Sequence, residues 1–385
     1  GPKVDTTAGI REASPRVAMS QSIQSVPVET LREFVLEVFR GLGVPEEEAA
    51  ICRDVVITSD LRGIDSHGVG RLAMYHDRVR TGIQSPTTDL EVVKETETTA
   101  TLDGHHGMGH VISYRSMRMA MDKARAHGLG AVAVRNSTHY GFAGYYPLMA
   151  TREDMIGLTV TNARPGVAPT FGVQPMIGTN PVTFGAPTDL PFPFVIDAAT
   201  SITQRGKLEH FHRRGEDTPE GLAIGRDGTS QTDTGPLLKD LVTGAAAMLP
   251  LGGVGELYGG HKGYGYGTMV EILSAALSGG SYLWDLAGFD EEGTAQPFRL
   301  GHFFLAIDIS HFIEPAEFRR IATDILQKLQ QSKKAPGHER IYVAGEKEYE
   351  IEQQRRTDGV PINETLRATL RRVKSELGIG GYDFL

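Results

Sequence analysis

Segments with helical periodicity alternate with short apolar runs, and this alternation constrains the fold more than any other feature of the sequence. Residues 28–40 carry apolar side chains at helical spacing, and Gly41 and Gly43 follow them as a stop signal. Residues 129–134 and 303–309 are instead short apolar runs, which is typical of strands buried on both faces. The alternation predicts an α/β protein whose sheet is covered by helices.

Other segments repeat these two patterns along the chain. Further helices are predicted over residues 45–60, 69–81, 112–127, 269–277, 315–331 and 364–377. Further strands are predicted over residues 90–93, 98–102, 156–160, 182–185 and 194–196. Residues 1–25, by contrast, are polar and lack periodicity, so we expect a flexible N-terminal tail there.

Charge and composition narrow the functional classes. The 385 residues carry a formal net charge of -9 without a run of lysine and arginine, which argues against nucleic-acid binding. No apolar run reaches the roughly 18 residues of a membrane span, and no secretory signal pattern is visible. A single cysteine, Cys52, rules out an internal disulfide framework. We therefore expect a cytoplasmic protein that binds neither nucleic acid nor membrane.

The stretch DSHGVGR, residues 65–71, concentrates reactive groups between glycines. Its imidazole, His67, and its guanidinium, Arg71, are four residues apart, so both face one pocket if the third helix begins near Val69. A second histidine in a polar turn, His139, stands beside a threonine. Imidazole exchanges protons near neutral pH, and a guanidinium binds a carboxylate through two parallel hydrogen bonds. We interpret the stretch as a catalytic corner, although each histidine taken alone also fits a structural role.

The sequence lacks the usual glycine-rich dinucleotide loop. Loose matches begin at Gly68 and Gly128, but neither lies between a strand and a helix in that order. Lys262 stands between glycines in what resembles a polar turn, where it either meets a phosphate or is simply solvated. His106 and His110 have i, i+4 spacing, but the neighbouring glycines argue against a helix there, and we expect no metal.

Six segments carry a family resemblance. They are DLRGIDSHGVGRLA (60–73), NSTHYGFAGYYP (136–147), IGTNPV (177–182), IDAATSI (196–202), HKGYGY (261–266) and VAGEKEY (343–349). Together they resemble the non-Rossmann malate/L-lactate dehydrogenase family, in the family's order and over nearly all of the chain after about residue 26. Two positions depart from the family pattern: Ala198, where methionine is usual, and Tyr266, where an aliphatic residue is usual.

The resemblance implies a fold and an organisation. The fold would be α/β with a mixed sheet of the sulfolactate-dehydrogenase type, whose NAD(P) site is unrelated to the Rossmann fingerprint. Residues 106–314 would form the NAD(P)-binding lobe, and residues 26–105 with 315–385 would form a discontinuous helical or α+β lobe used for dimerisation. A homodimer with its active site near the dimer contact is expected.

The resemblance also implies roles for individual residues. His139 is expected to be the proton acceptor, and His67 to contact the substrate or relay protons. His67 also resembles the proton donor of the keto-acid and imine reductases of the family. Arg71 would bind the substrate carboxylate, Ser66 would hydrogen-bond within the site, and Asp197 would be a buried carboxylate that orients an imidazole or holds the cofactor. Expected cofactor contacts are Asp197, Ala198, Ala199, Asn162, Asn180, Lys262, Gly345 and Glu346.

The expected activity is oxidation of a 2-hydroxy acid with NAD, or alternatively NADP. Malate is the first expectation, which the length of residues 237–259 slightly favours. L-Lactate, sulfolactate and ureidoglycolate are alternatives, as is reduction of a keto-sugar acid or a cyclic imine. A nucleotide-binding protein without turnover is a further alternative, and the intact His67, Arg71 and His139 argue against it.

Overall fold

The computed structural model describes residues 22–385 as a mixture of helices and strands. The helices are α1 (Val28–Gly41), α2 (Glu46–Leu61), α3 (Leu72–Arg80), α4 (Gly109–His127), α5 (Tyr145–Thr151), α6 (Arg205–Arg214), α7 (Thr234–Thr243), α8 (Gly260–Glu271), α9 (Pro315–Gln330), α10 (Glu346–Asp358) and α11 (Glu364–Glu376). The strands are β1 (Ile23–Val26), β2 (Glu91–Glu95), β3 (Thr99–Asp103), β4 (Leu129–Ser137), β5 (Met155–Thr161), β6 (Val182–Ala186), β7 (Phe194–Ala198), β8 (Ala223–Gly225), β9 (Ala246–Met248), β10 (Leu300–Asp308) and β11 (Val360–Asn363).

A seven-stranded sheet forms the centre of the fold, in the order β2-β3-β4-β10-β5-β6-β7. Strands β3 and β4 are parallel, and the other neighbouring pairs are antiparallel. Helices α4 and α5 pack against it through a buried core that includes Met117, Val132, Tyr146 and Phe304. The α/β class and the mixed sheet predicted from the sequence are therefore confirmed.

A second core joins helices α1, α2, α3 and α11 with the two-stranded sheet of β1 and β11. Phe34 of α1 packs edge-on against Tyr382, with ring centroids 5.2 Å apart. Strands β2 and β3 fall within the predicted lobe of residues 26–105, but they hydrogen-bond into the large sheet. Of the predicted tail, residues 1–21 lie outside the described residues, and residues 23–25 belong to β1.

The segment around Lys262 differs most from the sequence prediction. The glycines there indicated a polar turn, with a helix only over residues 269–277, whereas α8 begins at Gly260 and a π turn follows over Ile272–Ala276. A Cβ atom at Gly263 would lie 2.1 Å from the carbonyl oxygen of Leu251. The glycines therefore permit a helix to pack closely on neighbouring backbone instead of marking a turn.

Several helices were not predicted from the sequence because they have no apolar stripe. In α6 the one buried side chain is Leu208, and in α10 it is the acidic Glu346. The predicted third helix begins at Leu72 instead of Val69, after 3₁₀ turns over Asp65–His67 and Val69–Arg71. Across residues 22–385, no helix combines the length and the apolar character needed to cross a bilayer.

Candidate active site

The two polar stretches singled out in the sequence meet in one cleft. A cavity of about 350 Å³ is lined by Ser66, His67 and Arg71 from the first stretch and by His139 from the second. The Asp197 end of β7 lines the same cavity. The structure thus brings together every residue that was predicted to bind substrate or to take part in catalysis.

The two histidine rings lie face to face. Their centroids are 5.6 Å apart with an angle of 19° between the ring planes. The Ser66 hydroxyl lies 2.7 Å from Nδ1 of His67. Burial, with a smaller contribution from Arg71, lowers the pKa of His67 to about 4, and burial together with His67 holds the pKa of His139 well below its usual range. Both rings are therefore neutral near pH 7 and can accept a proton.

A buried hydroxyl fixes the ring of His139. The Tyr75 hydroxyl lies 2.7 Å from Nδ1 of His139 and 3.1 Å from Nε2 of His110. Tyr75 and His110 are fully buried, and burial lowers the pKa of His110 to about 3. The backbone N–H of Gly141 lies farther from Nδ1 of His139, at 3.3 Å, and is the weaker of the two contacts at that nitrogen. With Nδ1 engaged, Nε2 is the nitrogen of His139 left for a substrate.

Arg71 presents its guanidinium to the cleft while its stem is held in place. Its Nε donates to the Ser66 carbonyl oxygen at 2.7 Å, and the side chain lines the cavity. The terminal N–H groups therefore remain for a ligand, and their planar arrangement matches a carboxylate.

The DSHGVGR turn is anchored by a buried carboxyl group. Oδ2 of Asp60 accepts from the Val69 N–H at 2.8 Å, and a Cβ atom at Gly68 would lie 1.9 Å from Oδ1 of Asp60. Glycine is therefore required at this position, because any side chain would displace Asp60. Burial raises the pKa of Asp60 to about 8, with the Val69 N–H lowering it, Asp65 raising it and Arg355 lowering it by smaller amounts.

The raised pKa of Asp60 predicts a pH-dependent stability. Between about pH 4 and about pH 8 the folded state keeps a proton on Asp60 that the unfolded state has lost, so stability falls as pH rises, by at most about 1.4 kcal/mol per pH unit. Asp60→Asn mimics the protonated form and should flatten this slope in chemical unfolding experiments. Asp122→Asn, on the exposed surface of α4, is the matched control. Parallel slopes for Asp60→Asn and the wild type would contradict the prediction.

Asp197 differs from its expected role. Its Oδ2 accepts from the Gly144 N–H at 2.8 Å, and its Oδ1 accepts from the Thr183 hydroxyl at 3.2 Å. The carboxylate is open to the cleft instead of buried, and among the described residues no histidine hydrogen-bonds to it. Tyr75 holds the ring of His139 instead, so the expectation that Asp197 orients an imidazole is corrected. Its role as a cofactor contact stays a prediction.

Part of the predicted cofactor set lies in or beside the cleft. Asn162 and Ala199 line it, and Ala198 adjoins Asp197 at the end of β7. Asn162 accepts from the Gly301 N–H at 2.8 Å, while its Nδ2 is buried without a partner in the described structure. Asn180 is fully buried between two cleft-lining residues, and its Oδ1 likewise has no partner there. These two amides offer one free donor and one free acceptor.

Three predicted cofactor contacts lie elsewhere. Lys262 is exposed and lines a separate cavity of about 470 Å³ beside α8. Glu346 is buried, and its carboxylate accepts from Gln330 and Arg340 at 2.8 and 2.9 Å, so it is engaged within the fold. Gly345 packs against the backbone of Pro193. The structure does not bring these three residues to the cleft.

Tyr75 and His110 were not identified from the sequence as site residues. Tyr75 lies four residues after Arg71, so helical spacing places it on the face that points to the cleft. That spacing could have identified Tyr75 as a site residue from the sequence. His110 was considered only as a metal ligand, since the glycines before it concealed its position in the first turn of α4.

Solved structures and curated proteins share this architecture along almost the whole chain. The crystal structure of malate dehydrogenase from Entamoeba histolytica superposes with a TM-score of 0.90 at 41% identity, covering 94% of this chain and 99% of that one. Malate dehydrogenase of Pyrococcus horikoshii is 43% identical over 92% of this chain and 96% of its own length. L-Sulfolactate dehydrogenase of Methanothermobacter thermautotrophicus is 37% identical over 90% and 95%.

Fold and cleft together define the class of protein, an oxidoreductase of the dehydrogenase type. The profile of the malate/L-lactate dehydrogenase family matches residues 26–371, and the chain belongs to that family. The resemblance found in the six sequence segments is thereby confirmed.

Proposed function

We propose that the protein is a malate dehydrogenase, which oxidises L-malate to oxaloacetate with NAD and catalyses the reverse reduction. The observation that carries this proposal is the convergence of His139, His67 and Arg71 on one cleft. Support for malate comes from the two malate dehydrogenases at 43% and 41% identity, since the cleft by itself fits any small 2-hydroxy acid.

In the oxidative direction each residue of the cleft has a separate role. Arg71 binds the substrate carboxylate next to the reacting carbon. His139 accepts the hydroxyl proton at Nε2 in the tautomer that carries its own proton on Nδ1 and donates it to the Tyr75 hydroxyl. Tyr75 keeps the ring of His139 in place, and His67 contacts the substrate opposite that ring. In the reductive direction His139 must first be protonated, which its lowered pKa opposes and the negative charge of a bound acid favours. The protonated ring then returns the proton to the carbonyl oxygen. The lowered pKa keeps the imidazole of His139 neutral at pH 7, which is the form that the oxidative direction requires.

A nicotinamide dinucleotide fits the polar atoms beside the reacting groups. When bound, its nicotinamide ring accepts the hydride from the substrate carbon. Asn162 and Asn180 would hold it through their unpartnered amide atoms, together with Ala198, Ala199 and Asp197 at the end of β7. We propose NAD as the cofactor and keep NADP as the alternative, because this family does not use the acidic ribose marker that separates the two in the Rossmann fold. The proposal includes a homodimer, which sedimentation would check.

A panel of acids tests the proposal. Oxidation of NADH and NADPH is measured with oxaloacetate, pyruvate, 3-sulfopyruvate, 2,3-diketogulonate and piperideine-2-carboxylate. We expect the highest kcat/KM with oxaloacetate and NADH. Highest turnover with 3-sulfopyruvate would make the protein a sulfolactate dehydrogenase. Turnover only with the imine or the keto-sugar acid would overturn the proposal and transfer the proton-donor role to His67.

A substitution at Tyr75 tests whether this residue positions His139 or binds the substrate itself. Tyr75→Phe keeps the ring and removes the hydroxyl that lies against Nδ1 of His139. Losing one such hydrogen bond should lower kcat by about tenfold while KM stays near the wild-type value. Tyr114→Phe on α4, outside the cleft, is the matched control. A change in KM without a change in kcat would show that Tyr75 binds substrate instead of positioning His139.

A further inference from the structure

Arg62 is a buried cation in the wall of the cleft, and the mechanism above does not use it. It follows α2 directly, where its N–H donates to the Thr58 carbonyl oxygen at 3.1 Å. The residue is only 6% exposed. It lines the cleft beside His67 and Arg71, and it also lines a neighbouring cavity of about 380 Å³. Arg62 therefore lies between the cleft and the neighbouring cavity, and it can present its guanidinium to a ligand in the cleft.

The guanidinium of Arg62 has no hydrogen-bond partner in the described part of the chain. Its Nε is fully buried and unpaired. Other arginines close by are matched: Arg355 donates to the carboxylate of Asp65, Arg319 to Asp189 and Arg356 to Glu352. Arg62 differs from these three arginines, because it is the more deeply buried and yet lacks a carboxylate in contact.

Two of the three acidic groups that face Arg62 are held by other donors. Glu352, Glu348 and Asp197 attract it electrostatically, with Arg152 opposing them. Glu352 accepts from Arg356 at 2.7 Å, and Asp197 accepts from the Gly144 N–H and the Thr183 hydroxyl. None of them lies within ion-pair distance of Arg62. These groups partly balance the charge of Arg62 from a distance, and its donors stay free for a ligand.

A buried, unpaired guanidinium is costly to the folded state, since arginine remains charged in proteins. Such a group is typical of a binding site whose counter-ion arrives with the ligand. We propose that Arg62 determines substrate specificity by binding the second acidic group of a dianionic acid, while Arg71 binds the carboxylate next to the reacting carbon. This inference rests on the proposed function and narrows the substrate class to acids with a distal carboxylate or sulfonate.

The variant Arg62→Met tests the inference, because methionine fills the same buried space without charge. We expect kcat/KM for oxaloacetate to fall by about a hundredfold, as for loss of one partner of a buried charge pair. The value for pyruvate, which has no second acidic group, should stay close to that of the wild type. Arg152→Met, an exposed arginine of the neighbouring cavity, is the matched control and should change neither value. Equal losses for both substrates would overturn the inference.

Ligand binding, followed by its effect on the melting temperature, tests the role of Arg62 independently of turnover. Succinate should raise the melting temperature of the wild type more than butyrate does, and Arg62→Met should abolish that difference. The ligand-free variant should melt no lower than the wild type, because the unpaired charge is gone. A much lower melting temperature would show a structural role and overturn the inference. Weakened NADH binding with an unchanged oxaloacetate-to-pyruvate ratio would assign Arg62 to a cofactor phosphate, and would overturn it as well.

These readouts also distinguish failure of the inference from failure of the proposed function. If the wild type reduces none of the acids in the panel, the proposed function fails. The comparison of succinate with butyrate still reports whether Arg62 selects dianions. If the wild type reduces oxaloacetate and Arg62→Met retains its preference over pyruvate, the inference alone fails.

Discussion

His139→Gln should lower kcat/KM for oxaloacetate reduction by about a thousandfold, within the range found for removal of a general acid or base. Glutamine keeps a polar side chain of similar size but cannot exchange a proton at neutral pH. The neutral ring of His139, held at Nδ1 by Tyr75, has Nε2 free for the reacting oxygen. Steady-state kinetics with NADH measure the effect, and NADH binding by fluorescence titration should be unchanged.

The matched control for His139→Gln is His127→Gln, at the exposed end of α4. The control should retain full activity and the wild-type melting temperature. His67→Gln completes the comparison, because the two rings are stacked 5.6 Å apart and both line the cleft. If His67→Gln is inactive while His139→Gln retains most of its activity, the proton-transfer roles assigned to the two histidines are reversed.

Arg71→Gln should raise KM for oxaloacetate by a factor of about a hundred to a thousand, through the loss of two charge-assisted hydrogen bonds to the substrate carboxylate. Arg71→Lys keeps the charge but loses the planar fork, so its defect should be smaller but still clear. Initial rates across a range of oxaloacetate concentrations measure both variants.

Arg80→Gln, at the exposed end of the helix α3 that follows Arg71, is the matched control and should behave like the wild type. Arg71→Gln removes a positive charge from the turn before α3, and Arg80→Gln removes one from the end of α3. A difference in KM between the two variants therefore reflects the position of Arg71 in the cleft. An unchanged KM for Arg71→Gln, with kcat also unchanged, would show that another cation holds the carboxylate.

The sequence sufficed for the fold class and for the central residues of the site. Buried strands such as β4 and β10 have continuous apolar runs, and α1 has a complete apolar stripe, so periodicity identifies them. His67 and Arg71 were found through their chemistry, whereas the helical spacing used to link them does not apply, since α3 begins only at Leu72. His139 is distant in sequence and belongs to the turn after β4, so its place in the site was predicted through the family resemblance and not from spacing.

Other features could not be predicted, for identifiable physical reasons. The helix α10 has hardly any apolar face, so no periodic signal exists. Lys262 was placed in a turn because glycine usually breaks helices, whereas the close backbone contact at Gly263 requires glycine inside one. The missing partner of Arg62 depends on long-range packing that a single sequence does not specify.

The most direct test of the central claim is oxaloacetate-dependent oxidation of NADH by the purified protein, with NADH binding followed in the same sample by its effect on the melting temperature. The cleft of His139, His67 and Arg71 predicts saturable turnover that disappears in His139→Gln while NADH still raises the melting temperature of that variant. Stabilisation of the wild type by NADH without turnover of oxaloacetate or any other acid of the panel would contradict the claim, and would leave a protein that binds the nucleotide without catalysing the reaction.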